Sequence, residues 1–228
     1  MNALLDIYKQ KVNLSFFFFF TSDRGLCGSF NANIIKLAFK KMEQYEAEGK
    51  KVSFVCVGKK GYQMLRKTGK VRKRYTDVMG SFQMFNAREV ATDAAEQFLG
   101  GTTDKVEIVF GEFLSVARQI PAVASFLPVQ PVEAVEGAET KISGDYIYEP
   151  SSEEIMDVLQ PLYLNVLVYH AMLEVGAGEH AARMTAMDNA TNACKDIVNN
   201  LTIVYNKARQ AAVTSELMDI VGGAEALK

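Results

Sequence analysis

Apolar positions along the chain fall into short runs at the front and one long periodic series at the back. Residues 16–20 are five consecutive phenylalanines, and a short, uniformly apolar run fits a strand buried on both faces of a covered sheet. KVSFVCVG at 51–58 and VEIVFGEF at 106–113 predict two further strands. After the first run, a turn rich in Ser, Asp and Gly spans Thr21–Gly28. Ser29 or Asn31 can then cap a helix through about Gly49, with Ile34, Ile35, Ala38, Phe39 and Met42 on one face. A short helix is expected from about Lys60 to Lys67, and another from Asn86 to Leu99, closed by Gly100-Gly101. RQIPAVASFLPV at 118–129 contains Pro121 and Pro128 and so belongs at a sheet edge or end. Strand alternating with helix predicts an α/β fold over 16–130 with parallel strands and right-handed crossovers.

Residues 131–150 are acidic, contain glycine and lack a clear period, which marks them as a linker. Ser151 and Glu154 then have capping-box spacing at the start of a helix. Beyond it, Ile155, Leu159, Leu162, Val166, Tyr169 and Leu173 recur at alternating intervals of four and three. The series runs on through Ala177, Met184, Met187, Cys194, Val198, Leu201, Tyr205, Ala208 and Ala212. That period belongs to a left-handed coiled coil, so 151–228 reads as one long helix of coiled-coil type. Pro161 is expected to bend it or mark its start. Gly176 and Gly178 weaken it, at about 1 kcal/mol each. Such a helix would be roughly 100 Å long, against a radius of gyration near 15 Å for a domain of about 150 residues. Something else must cover its apolar face.

Composition narrows the class. The 228 residues are 49% hydrophobic and 23% charged, with a net charge of −2. This is ordinary for a globular chain and lacks the basic field of a general nucleic-acid binder. Cys27, Cys56 and Cys194 are odd in number and widely spaced, unlike a disulfide framework or zinc site. The phenylalanine run is far shorter than the roughly 20 residues of a membrane helix, and Met1 to Ser15 has no apolar signal core. The expectation is a soluble intracellular protein.

Candidate chemistry is sparse. T-S-D-R-G-L-C-G follows a strand and precedes a helix, where a phosphate-binding turn would sit. It lacks G-x-G-x-x-G, no Walker motif occurs, and the second strand ends without an acidic residue for a ribose. Cys27, near a helix N-terminus, could be an activated nucleophile or a packed turn residue. The only histidines, His170 and His180, lie on the long helix, which favours packing. Lys67, Lys70, Arg72, Lys73 and Arg74 beside Tyr75 read as a solvated or partner-facing loop after a helix. Two N-x-T sequons at Asn189 and Asn200 fall inside the helix and are set aside. No catalytic residue, metal site or cofactor site is expected.

Two stretches read together point further. TSDRGLCGSFNANI at 21–34 and ARMTAMDNATNACKDIVNNLTIVYNKARQAAVTSELMDIVGGAEAL at 182–227 closely resemble the gamma subunit family of the F-type ATP synthase, with DYIYEP at 145–150 in the family's order. The resemblance covers about residues 16 to 228. It implies the central stalk rotor, an antiparallel pair of long helices in a ring of three alpha and three beta subunits. A Rossmann-like three-layer α/β foot over 16–130, without a nucleotide site, would stand beside the epsilon subunit and the c-ring. It implies partner contacts at Arg209, Gln210 and Thr214, and at Arg183, with catalysis in other subunits. It also implies a peripheral place on the cytoplasmic face of a bacterial inner membrane, with no direct membrane insertion and no nucleic acid bound.

Residues 1–15 depart from the pattern, because the family has a long N-terminal helix ahead of the first strand. The expectation is therefore a form lacking most of that helix. Two competing readings make distinct predictions. A Rossmann-type nucleotide-binding enzyme with a helical tail would bind nucleotide through the 21–29 turn. A coiled-coil adaptor would pair with another long helix and show no preference for an alpha–beta ring.

Overall fold

A computed structural model describes residues 14–129, 148–149 and 151–227. Of the expected atypical segment at 1–15, only Leu14 and Ser15 are described, and they belong to the first strand; nearly all of the 131–150 linker lies outside the described residues. Five strands form one sheet in the order β3-β2-β1-β4-β5. They are β1 (Leu14–Phe20), β2 (Lys51–Val57), β3 (Val71–Tyr75), β4 (Lys105–Ser115) and β5 (Arg118–Leu127). The helices are α1 (Phe30–Ala47), α2 (Lys59–Leu65), α3 (Met84–Leu99) and α4 (Ser152–Ala226). Two compact units divide the chain, residues 1–183 and 184–228.

The phenylalanine run explains the centre of the sheet. β1 pairs in parallel with both β2 and β4, so both of its faces need cover, and Phe16 to Phe20 are all buried. Alternation sends neighbouring rings to opposite faces. Phe17 meets Tyr45 of α1 edge-on at 5.2 Å and Phe54 of β2 at 5.7 Å, while Phe19 packs on α2 at Gly61. On the other side, the Arg72 guanidinium covers Phe16, 5.2 Å from its centroid, and pairs with Asp93 of α3. Helices therefore cover both faces. On α1, Ile34, Ile35 and Ala38 are buried, with Phe39 and Met42 packed against the core.

Three sequence expectations need correction. The basic stretch is not a loop, because Val71–Tyr75 form an edge strand parallel to β2. Its charges made it look solvated, yet charged side chains are a common way to blunt an exposed edge. The strands are not all parallel, since β5 returns antiparallel to β4, with Pro121 opposite Gly111. Proline, which has no N–H to give a ladder, is found in sheets at edge strands such as this one. Finally, Ser29 occupies the N-cap of α1 but makes no capping bond. Its backbone is at φ −85, ψ 0, not the extended conformation that aims a cap side chain at free N–H groups.

Within the first unit, α4 contributes a stripe to the core. Leu164, Val168, Ala171, Met172 and Val175 are buried with the sheet residues. This stripe is offset from the heptad seam read from the sequence. On the seam, Leu159, Leu162, Val166 and Leu173 are exposed, as are Met184, Met187, Val198, Leu201 and Tyr205 in the second unit. Pro161 neither starts nor ends α4, which begins at Ser152. The Ser151 hydroxyl accepts the Glu154 N–H at 3.2 Å, one half of the expected capping box. α4 also contains a stretch long and apolar enough by composition to cross a membrane, a third of it buried inside the protein.

Candidate functional site

The turn after β1 is filled from within the chain. The Asp23 carboxylate accepts the backbone N–H groups of Lys59 at 2.8 Å, Asp77 at 3.0 Å and Met79 at 2.8 Å. Lys59 is the first residue of α2, so Asp23 stands where a phosphate would bind a helix N-terminus. Thr21 extends the lock. Its hydroxyl accepts the Gly61 N–H at 2.8 Å, and its own N–H donates to the Val57 carbonyl at 2.9 Å. Gly58, at φ +100, lies so close that a Cβ would sit 2.0 Å from the Thr21 carbonyl oxygen. Only glycine accommodates both the conformation and the approach. These contacts argue against the nucleotide-enzyme reading. The sequence offered one signal for them, an Asp two residues after Thr21 in a Gly-rich turn.

Cys27 is buried, and the Asn31 amide donates to its Sγ at 3.0 Å and to the Ser22 hydroxyl at 2.7 Å. Asn31 also accepts the Ser22 N–H at 3.1 Å. The cysteine is a packed turn residue, and Asn31 is its organiser rather than a helix cap. The basic residues are likewise engaged inside the fold. Lys70 pairs with Glu46, Arg72 and Lys73 with Asp93, and Arg74 donates to the Tyr62 hydroxyl at 2.9 Å. No group of three or more His, Cys, Asp or Glu suited to a metal ion occurs among the described residues.

The glycines of α4 have a different role from the one read in the sequence. A Cβ at Gly178 would lie 2.7 Å from the Phe30 ring, and one at Gly111 of β4 would lie 2.8 Å from the same ring. Phe30 is thus seated between a strand glycine and a helix glycine. Gly176 faces Phe82 with a would-be Cβ contact of 3.2 Å, and Phe82 meets Tyr169 edge-on at 5.9 Å. Nearby, the Glu174 carboxylate accepts the Phe113 N–H at 2.6 Å. The local loss of helix propensity is a condition of close packing.

Of the four residues singled out in the sequence, Arg183 lies in the first unit and the other three in the second. The Arg183 guanidinium donates twice to the Gly25 carbonyl, each bond 3.2 Å. It also pairs with Glu179, which is only 5% exposed. Arg209, Gln210 and Thr214 are all exposed. Gln210 and Thr214 are four residues apart, which stacks them on one helix face, and Arg209 flanks them.

Residues 2–227 match the ATP synthase family. The chain is 74% identical over 209 residues to the ATP synthase gamma chain of Desulfotalea psychrophila, covering 91% of this chain and 72% of that protein. The chain belongs to the ATP synthase gamma-chain family. A second relative, the ATP synthase gamma chain of Nitratidesulfovibrio vulgaris, is 49% identical over 209 residues, with the same coverage of both chains. The fold agrees with a chain of the Euglena gracilis mitochondrial ATP synthase at a TM-score of 0.68 and 20% identity, covering 98% of this chain and 75% of that one. It also agrees with a chain from the central stalk and c-ring structure of the Tetrahymena thermophila mitochondrial ATP synthase. There the TM-score is 0.61 at 22% identity, covering 83% of this chain and 85% of that one. The family match takes in both the sheet and the helix.

Proposed function

We propose that the chain is the central-stalk rotor subunit of a proton-translocating F-type ATP synthase. In this reading 16–130 form the foot, 131–150 the linker and 151–228 the shaft, and the foot holds the shaft through the buried stripe at 164–181. The observation that carries the proposal is the 74% identity with an ATP synthase gamma chain across sheet and helix together. The exposed seam of α4 supports it, because so much apolar surface requires a partner.

The mechanism is mechanical. The shaft stands in the ring of three alpha and three beta subunits, and the foot meets the epsilon subunit and the c-ring. Arg209, Gln210 and Thr214 make polar contacts with the beta subunits, and those contacts change with shaft angle. Each beta subunit samples its states in turn because rotation alters the free energy of one state relative to another. Catalysis resides in the partner subunits, a division supported by the self-filled turn at Asp23. The assembly places the chain at the cytoplasmic face of a bacterial inner membrane as a peripheral protein.

Co-expression with alpha and beta subunits tests this reading. One copy is expected per three alpha–beta pairs, lost when 205–228 are deleted. A folded chain that fails to join the ring, in a preparation where alpha and beta assemble, would overturn it.

A further inference from the structure

Arg183 was expected at a partner interface, yet its guanidinium is committed inside the fold. Its two bonds to the Gly25 carbonyl and its pair with buried Glu179 join α4 to the turn that follows the central strand. The same turn is bonded through Asp23 to the loop after β3, through Thr21 to α2 and through Asn31 to α1. Phe30, seated between Gly111 and Gly178, fixes the helix one turn earlier. Arg183 is also the last residue of the first compact unit, and the Met184 that follows is exposed.

We propose that Arg183 is a positioning residue, an internal clasp that fixes the angular setting of the first-unit part of α4, residues 152–183, against the turn at Gly25. The proposal rests on the rotor reading for its consequence. A shaft transmits torque only if its root cannot twist within the foot, and a charge-assisted fork with two bonds to one carbonyl resists twisting more than apolar contacts do. Glu179 keeps the guanidinium in its fork orientation, and burial limits exchange of that ion pair with water. Arg183 thus acts through Gly25 and not by touching a beta subunit.

The test uses the full chain in its assembled complex, with Cys194→Ser to remove the exposed thiol. Arg183→Ala is expected to lower ATP-driven proton pumping relative to ATP hydrolysis, and Arg183→Lys to do so less. In the double variant Gly25→Cys, Arg183→Cys, a short reducible bis-thiosulfonate cross-link replaces the clasp covalently. Gly25 accepts a side chain because only the flexible end of Lys60 lies near, at 3.5 Å. Coupling restored by the cross-link and lost again on reduction supports the clasp. A formed cross-link that restores nothing, where the unmodified complex couples, overturns it and leaves a partner contact as Arg183's role. Amide exchange over 21–28 gives a readout independent of coupling. It should accelerate about tenfold in Arg183→Ala, and unchanged exchange would also overturn the clasp. If the unmodified complex does not couple, the rotor reading fails, and the exchange result alone decides whether the clasp exists.

Discussion

Gly178 and Phe30 touch so closely that a single added methyl group would lie 2.7 Å from the ring. Alanine at 178 gains about 1 kcal/mol of helix propensity but must displace an aromatic ring already held by Gly111. Overpacking typically costs about 1–3 kcal/mol, so Gly178→Ala should lower the urea midpoint. Gly176→Ala meets Phe82 at 3.2 Å, a partly buried ring with room to give, and should be close to neutral. Urea melts of the two variants side by side check the contrast; equal effects would mean that the glycines are not packing sites.

Asp23 supplies the acceptors for three backbone N–H groups. Asp23→Ala should destabilise the chain by about 1–3 kcal/mol, and Asp23→Asn by less, because one carbonyl acceptor remains. Thermal or urea denaturation measures this. Nucleotide titration of the unmodified chain should show no binding at the turn, and saturable binding there would reverse the reading of Asp23.

Cys56 is fully buried in β2, and burial pushes its thiol up to about 12 from an ordinary 9.0. The unfolded chain releases this proton near pH 9 while the folded chain keeps it. The contribution is therefore fully present below pH 9 and is lost progressively as pH rises toward 12. Roughly 1 kcal/mol of stability should disappear by pH 10 from this group. Cys56→Val and Cys56→Ala should both flatten the decline between pH 9 and 10, whatever their stability at neutral pH. In the native chain, exposed Cys194 should react with a thiol reagent well before buried Cys27 and Cys56.

Tyr45, Lys105 and Glu107 form a closed polar cluster under the C-terminal end of α1. Tyr45 donates to Glu107 at 2.8 Å, Lys105 lies 2.7 Å from Glu107, and Lys105 donates to the Tyr45 hydroxyl at 3.0 Å. Burial opposes the Lys105 charge, but its bonds to Glu107 and Tyr45 prevail and raise its pKa. The Tyr45 hydroxyl is also raised, chiefly by burial. Tyr45→Phe and Glu107→Gln should each destabilise and should couple in a double-mutant cycle by at least about 0.5 kcal/mol. Additive losses would show that the pair is not a unit.

Arg209, Gln210 and Thr214 are exposed, so alanine at each should change the stability of the isolated chain by no more than about 0.5 kcal/mol. In the assembled complex the same variants should lower ATP synthesis. A stability loss as large as the loss of synthesis would assign them a structural role instead.

The sequence by itself determined the central strand, the main helices and the family. Phe16 to Phe20 leave no polar residue for a solvent face, so that strand had to be covered on both sides. The 182–227 stretch was distinctive enough to name the family before any geometry was known. Tertiary structure decided what depends on neighbours far away in the chain. β3 looked like a loop because its basic side chains find Asp93 and Tyr62 only after folding. Gly176 and Gly178 looked like weak points because helix propensity is local, while their value lies in the rings of Phe82 and Phe30. The heptad seam was legible as a period, but the buried stripe at Leu164, Val168 and Val175 lies on a different face. A helix apolar on two faces cannot tell from its own spacing which one meets the sheet. Arg183 was legible as part of a motif, yet its partner, a backbone carbonyl 158 residues away, carries no side chain that a sequence could display.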